Sequence, residues 1–149
     1  MAGLGRWAFG TLLQIGDGAT PTEAFATVAE VKDIDGPEVS LDTEDITPHD
    51  AVGGWEEIIP TILRSGEVSF DLNFVPANTQ HGDFSNGLMG LAKTRTLRNF
   101  KLVLPTDPEY EWAFSAYVVR MGHAYPVAGA MNASVTLKIT GEPDLAASA

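Results

Sequence analysis

The chain has 149 residues, is 44% hydrophobic and 19% charged, and so fits one domain with a core rather than a disordered chain. It has no cysteine, which excludes disulfides, thiolate metal sites and a thiol nucleophile and suits an intracellular protein. The formal charge is −11, with fourteen acids against Arg6, Lys32 and Arg64 in residues 1–75 and six acids against six bases in residues 76–149; such a surface repels phosphate, disfavours specific nucleic-acid binding and ordinarily serves solubility.

At the N-terminus, one Arg and a short apolar run give a faint likeness to a signal peptide. Thr11 and Gln14 interrupt it, and residues 10–16 read better as a first strand. No apolar stretch approaches the ~20 residues of a membrane helix. Residues 25–43 read as two strands around the turn Asp35-Gly36-Pro37.

The next segment, 43–65, has the punctuation of a long loop in Gly53-Gly54 and Pro60. It nevertheless holds Val52, Trp55, Ile58, Ile59, Ile62 and Leu63. Such residues either fold back as a satellite core or form an exposed patch that needs a partner.

In residues 67–74, Val68, Phe70, Leu72 and Phe74 face one way and Glu67, Ser69, Asp71 and Asn73 the other, the mark of a strand with one wet face. Residues 81–95 read as one short helix with Asp83 as N-cap and Phe84, Leu88 and Leu91 on its packing face. Lys93 and Arg95 end it, where the helix dipole favours cations. Gly87 and Gly90 weaken it by roughly 1 kcal/mol each.

Strands follow at 99–105 and 110–121, joined by the turn 105–109. The second carries Tyr110, Trp112, Phe114 and Val118 on one face and Tyr117, Val119 and Met121 on the other, so it belongs in the middle of a sheet or under cover on both sides. A last alternating strand sets Met131, Ala133, Val135, Leu137 and Ile139 against Asn132, Ser134, Thr136, Lys138 and Thr140. Residues 144–149 read as a loose tail. The fold class is mainly β: an antiparallel β-sandwich or barrel with one flanking α-helix.

Catalytic and metal motifs are missing. His49, His81 and His123 lack a second ligand at a metal-site spacing; His49 and His81 sit in turns and read as solvated groups. There is no nucleophile elbow, phosphate loop or dinucleotide fingerprint. Asp42, Glu44 and Asp45 do not have the spacing of a calcium loop. No catalytic residue, metal or cofactor is expected.

The order of features does point somewhere. A strand ends in Ile34-Asp35-Gly36-Pro37, and Ser40, Asp42, Asp45, Thr47 and Asp50 follow. A long loop closes on Glu56-Glu57 and Ile59-Pro60, and "ILRSGEVSFDLNF" comes next. With the later "GDFSNGLMGLA" and "NASVTLKITGEP", this resembles the tail tube proteins of long, non-contractile-tailed bacteriophages and of gene transfer agents over most of residues 10–142.

The resemblance implies a β-sandwich that forms homohexameric rings with a continuous inner β-barrel. The rings stack into a tube around a tape-measure protein, with tail terminator and distal tail proteins as further partners. Double-stranded DNA passes in transit without being specifically bound, and no membrane is involved. The place of action is the virion tail, assembled in the bacterial host cytoplasm.

The same resemblance gives the 43–65 segment to ring-to-ring contact through Val52, Trp55, Ile58, Ile59 and Ile62, mobile until it docks. Glu67, Ser69, Asp71 and Asn73, with Asn132, Ser134, Thr136 and Lys138, become candidates to line the lumen, where Glu67 and Asp71 would repel DNA phosphates. The alternatives are a hexameric ring of a contractile secretion system, a small carbohydrate-binding β-sandwich with Trp55 or Trp112 as stacking platform, and an enzyme with a dispersed site.

Overall fold

Alternation in the sequence becomes a rolled sheet with a dry inside and a wet outside. The computed structural model describes residues 5–20 and 22–147. In chain order the strands are β1 (Leu12–Gly16), β2 (Phe25–Thr27), β3 (Val31–Asp35), β4 (Ser40–Asp45), β5 (Ile58–Arg64) and β6 (Glu67–Asn73). Two short helices, α1 (Thr79–Gly82) and α2 (Leu88–Thr94), precede β7 (Arg98–Val103), β8 (Tyr110–Ala124) and β9 (Asn132–Ala147).

Seven strands form one antiparallel sheet in the order β2-β1-β7-β8-β9-β6-β3, and β4 pairs only with β5. The two edge strands, β2 and β3, are consecutive in the chain. Thr27 and Val31 are thus at most about 14 Å apart, whereas the edges of a flat seven-stranded sheet lie about 29 Å apart. The sheet must therefore curl until its edges approach.

Its inner face is the core: Leu13, Phe100, Leu102, Phe114, Val118, Val135, Leu137, Val68, Phe70 and Leu72 are buried in one cluster with Val28 and with Leu88 and Leu91 of α2. α2 packs against β8, so the helix plugs the roll. Each buried aliphatic or aromatic side chain of this kind contributes on the order of 1.5–3 kcal/mol by leaving water.

Several expectations change here. Residues 25–45 hold three strands rather than two, because the chain breaks at Ala29-Glu30, where Glu30 takes a positive φ of 62°. The single helix is two. Asp83 ends α1, and its carboxylate accepts from the Ser85 and Asn86 N–H groups at 2.7 and 3.2 Å, shaping the turn between helices. Those two bonds hold the Asp83 carboxyl below its ordinary value. α2 begins only after Gly87.

The loose tail is, as far as Ala147, the end of β9, with Asp144, Leu145, Ala146 and Ala147 opposite Ala113, Trp112, Glu111 and Tyr110; residues 148 and 149 lie outside the described residues. Strand β8 is central in the sheet, yet Tyr117 and Val119 stay exposed, so its second face is not covered.

His81, expected at the surface, is fully buried. Its Nδ1 accepts the Val75 N–H at 3.0 Å, and its Nε2 lies 2.9 Å from the Ala29 carbonyl. Since a carbonyl only accepts, Nε2 carries the hydrogen. The ring ties the β2–β3 connection to the segment that leads into α1.

Candidate functional site

The strand register gathers all eight candidate lumen residues into one patch. Across β6 and β9, Glu67 faces Lys138, Ser69 faces Thr136, Asp71 faces Ser134 and Asn73 faces Asn132. Their neighbours Val68, Phe70, Leu72, Ala133, Val135 and Leu137 point into the core, and the two-residue period fixes which side each takes.

The patch is internally bonded. The Ser134 hydroxyl donates to Asp71 Oδ1 at 2.8 Å, Lys32 Nζ donates to Asn132 Oδ1 at 2.8 Å, and Lys138 Nζ lies 3.9 Å from Glu67 Oε1. Tyr117 and Arg120 of β8 stand opposite Lys138 and Thr136 on this face, and Asp35 of β3 stands opposite Ser69. Acids and bases therefore interleave across it. Lys32, Asp35, Tyr117 and Arg120 were missed in the sequence, because only the register places them beside β6 and β9.

The 43–65 segment is a β-hairpin rather than an irregular loop. Thr43, Glu44 and Asp45 pair with Pro60, Ile59 and Ile58, and Ser40 and Leu41 with Arg64 and Leu63. Pro60 is tolerated because the hairpin has no third strand and its register shifts beside Thr43. Arg64 Nε donates to Asp42 Oδ2 at 2.7 Å across the hairpin.

Near the tip, Asp45 Oδ1 accepts from both the Thr47 hydroxyl and its N–H, at 2.6 and 2.8 Å. These bonds, the hydroxyl's first, hold the Asp45 carboxyl below its usual value. The Thr47 hydroxyl oxygen in turn accepts the Glu57 N–H at 2.8 Å and so closes the tip.

All seven residues of β5 are exposed, with Val52 90% and Trp55 78% exposed beyond them. Val52, Trp55, Ile58, Ile59 and Ile62 are therefore brought together on one projecting element but not into any core of their own chain. Gly66, with φ at 70°, turns the hairpin into β6, and a Cβ there would meet the Glu38 carbonyl. A cleft between Val39, Ile62 and Leu63 of the hairpin region and Ile139–Pro143 of β9 marks where it leaves the sheet.

Neither surface holds chemistry of the usual catalytic kind. Among the described residues no group of three or more His, Asp or Glu side chains could hold a metal ion, and no helix is long and apolar enough to cross a membrane. A rolled sheet with a bare apolar hairpin and a bonded polar face is the build of a protein that associates through its surfaces.

The chain belongs to the lambda phage tail tube protein family, whose model matches residues 15–146. Its part is structural, as a component of a virion tail tube, and the family is one of structural proteins rather than enzymes. Solved structures share the fold at low identity. A chain from the tail of an empty gene transfer agent particle with C6 symmetry is 18% identical, with 91% of this chain and 96% of that one covered and a TM-score of 0.63. A chain from the sheath/tube terminator structure of an extracellular contractile injection system is 12% identical, covered at 99% and 100%, with a TM-score of 0.72. The SPP1 tail tube is 14% identical, covered at 93% and 76%, with a TM-score of 0.57. No curated protein matches the chain.

Proposed function

We propose that the chain forms homohexameric rings that stack, through the 40–64 hairpin, into a tail tube around a tape-measure protein. The observation that carries this reading is the hairpin. Five large apolar residues, Val52, Trp55, Ile58, Ile59 and Ile62, are more than two-fifths exposed on one projecting element, and monomeric proteins seldom leave such a patch bare. Trp and aliphatic anchors are the side chains that dominate interface energies.

The polar face of β6 and β9 is proposed to line the lumen, with DNA passing in transit and the tail terminator and distal tail proteins closing the ends. Assembly takes place in the bacterial host cytoplasm. Because Glu67 lies beside Lys138, and Lys32 and Arg120 share the face with Asp35 and Asp71, the lining would neither grip nor strongly repel phosphate. Opposite charges so interleaved leave little net field, and at moderate salt what remains fades over a Debye length of about 10 Å, so DNA would slide with little salt-dependent friction.

A ring of a contractile machine is the second reading, favoured by the likeness in fold to the chain from the injection-system terminator structure; membership of the lambda tail tube family favours the first. Electron microscopy of the concentrated purified chain tests the proposal. Rings or tubes are expected, and a monodisperse population of single copies would overturn it.

A further inference from the structure

The hairpin tip is acidic as well as apolar. No Lys or Arg lies between Lys32 and Arg64, and Arg64 is taken by Asp42. Asp50, Glu56 and Glu57 lie within five residues of Trp55 in the chain, and His49, next to Asp50, is the one ionisable base between Lys32 and Arg64. The end of α2 has the opposite character. Lys93 and Arg95 are exposed there, and no ion pair engages either among the described residues. Beside them stand Phe84, 56% exposed, with Lys93 Nζ 5.9 Å from its ring centroid, and Leu97, 42% exposed. One surface carries an aromatic among acids, and the other an aromatic beside two bases and one acid, Asp83.

The topology keeps them apart within a copy. Arg98 pairs with Ala116, Ala116 with Ile139, and the Ile139 N–H donates to the Gly66 carbonyl at 3.2 Å. The exit from α2 and the root of the hairpin therefore share one level across the sheet. From that level the base of β5, Ile62–Arg64, lies beside residues 139–143 of β9, and the seven residues of β5 span about 20 Å. The tip accordingly stands off from the level of Lys93 and Arg95. Pairing two tips symmetrically would set acids against acids. A head-to-tail contact sets each tip against a different surface and, repeated, grows without limit along an axis.

We propose that the hairpin tip of one copy seats on the Phe84, Lys93, Arg95 and Leu97 surface of a second copy in the next ring, with Glu56 and Glu57 facing Lys93 and Arg95. This rests on the stacking role given to the hairpin above and names the surface that receives it. Trp55 supplies the apolar anchor, and the charges set polarity and register.

Charge exchange tests it. In the purified full chain, Glu56→Lys/Glu57→Lys and Lys93→Glu/Arg95→Glu should each raise the critical concentration for tube growth by about tenfold or more, since each places like charges in contact. The two variants mixed, or all four substitutions in one chain, should restore growth, with circular dichroism confirming that each variant is folded. A second measurement needs no long tubes: Glu57→Cys and Lys93→Cys in one chain, otherwise free of cysteine, should oxidise to a ladder of linked multimers, whereas each single variant stops at dimers. Growth unaffected by the tip reversal would overturn the inference together with the stacking role. Growth blocked by the tip reversal, but untouched by the Lys93/Arg95 reversal or not restored by the exchange, would overturn this inference alone, as would the absence of a ladder.

Discussion

Replacing Trp55 by alanine separates assembly from folding. Trp55 is 78% exposed in the single copy, so its removal costs the isolated fold little, within about 0.5 kcal/mol. Seating the ring in a neighbour removes on the order of 150 Å² from water, which at about 25 cal/mol per Å² is about 4 kcal/mol. Immobilising the side chain offsets about 1 kcal/mol of that. With alanine keeping a small remainder, the loss per contact is about 2–3 kcal/mol, or roughly 30- to 150-fold in the association constant. A ring makes several such contacts at once, so growth should fail at concentrations where the wild type elongates. The assay is sedimentation and light scattering against concentration, with urea unfolding of the dilute chain as control. An unchanged critical concentration would refute the reasoning, and so would a large loss of stability in the dilute chain, because Trp55 would then be part of its own core.

Other substitutions probe the fold and the polar face. His81→Leu leaves the Val75 N–H and the Ala29 carbonyl without their present partners, and urea unfolding should show a loss of about 2–5 kcal/mol; a change below about 0.5 kcal/mol would mean the ring is no staple. Asp83 is held below its ordinary value of 3.8 by the Ser85 and Asn86 N–H groups. Its stabilisation is thus present above that value and lost as pH falls through the lower, folded value, so wild type and Asp83→Asn should converge in stability as pH falls well below 3.8 and differ at neutral pH. A gap that persists in strong acid would contradict this. Glu67→Lys/Asp71→Lys turns the proposed lining basic, and particles built with it should eject DNA more slowly, most of all at low salt. Ejection at an unchanged rate from normally assembled particles would remove these two residues from the lumen.

The parts of the fold that showed in the sequence are those with one buried face. β6 and β9 alternate because each apolar residue enters the core, and β8 sits centrally as its two-sided greasiness suggested. β5 was hidden for the converse reason. All seven of its residues are exposed, so no buried face imposes a period of two, and Pro60 with Gly53-Gly54 looked like the punctuation of a loop. The apolar content of Trp55, Ile58, Ile59 and Ile62 nonetheless stood out in the sequence, and the structure leaves all four exposed. Asp83 misled because an acid before an apolar run has the look of an N-cap, while its bonds here go to the Ser85 and Asn86 turn. The interleaving of Lys32, Asp35 and Arg120 with the β6 and β9 residues could not be read at all, because cross-strand register is a tertiary property.

Cryo-electron microscopy of tubes grown from the purified chain would show both the ring-to-ring contact and the lining of the channel. Stacked six-fold rings are expected, with Glu67, Asp71, Ser134 and Lys138 facing the channel and Trp55 buried against the next ring. Small single particles under conditions of high concentration, or tubes in which that face points outward and Trp55 remains in solvent, would contradict that arrangement.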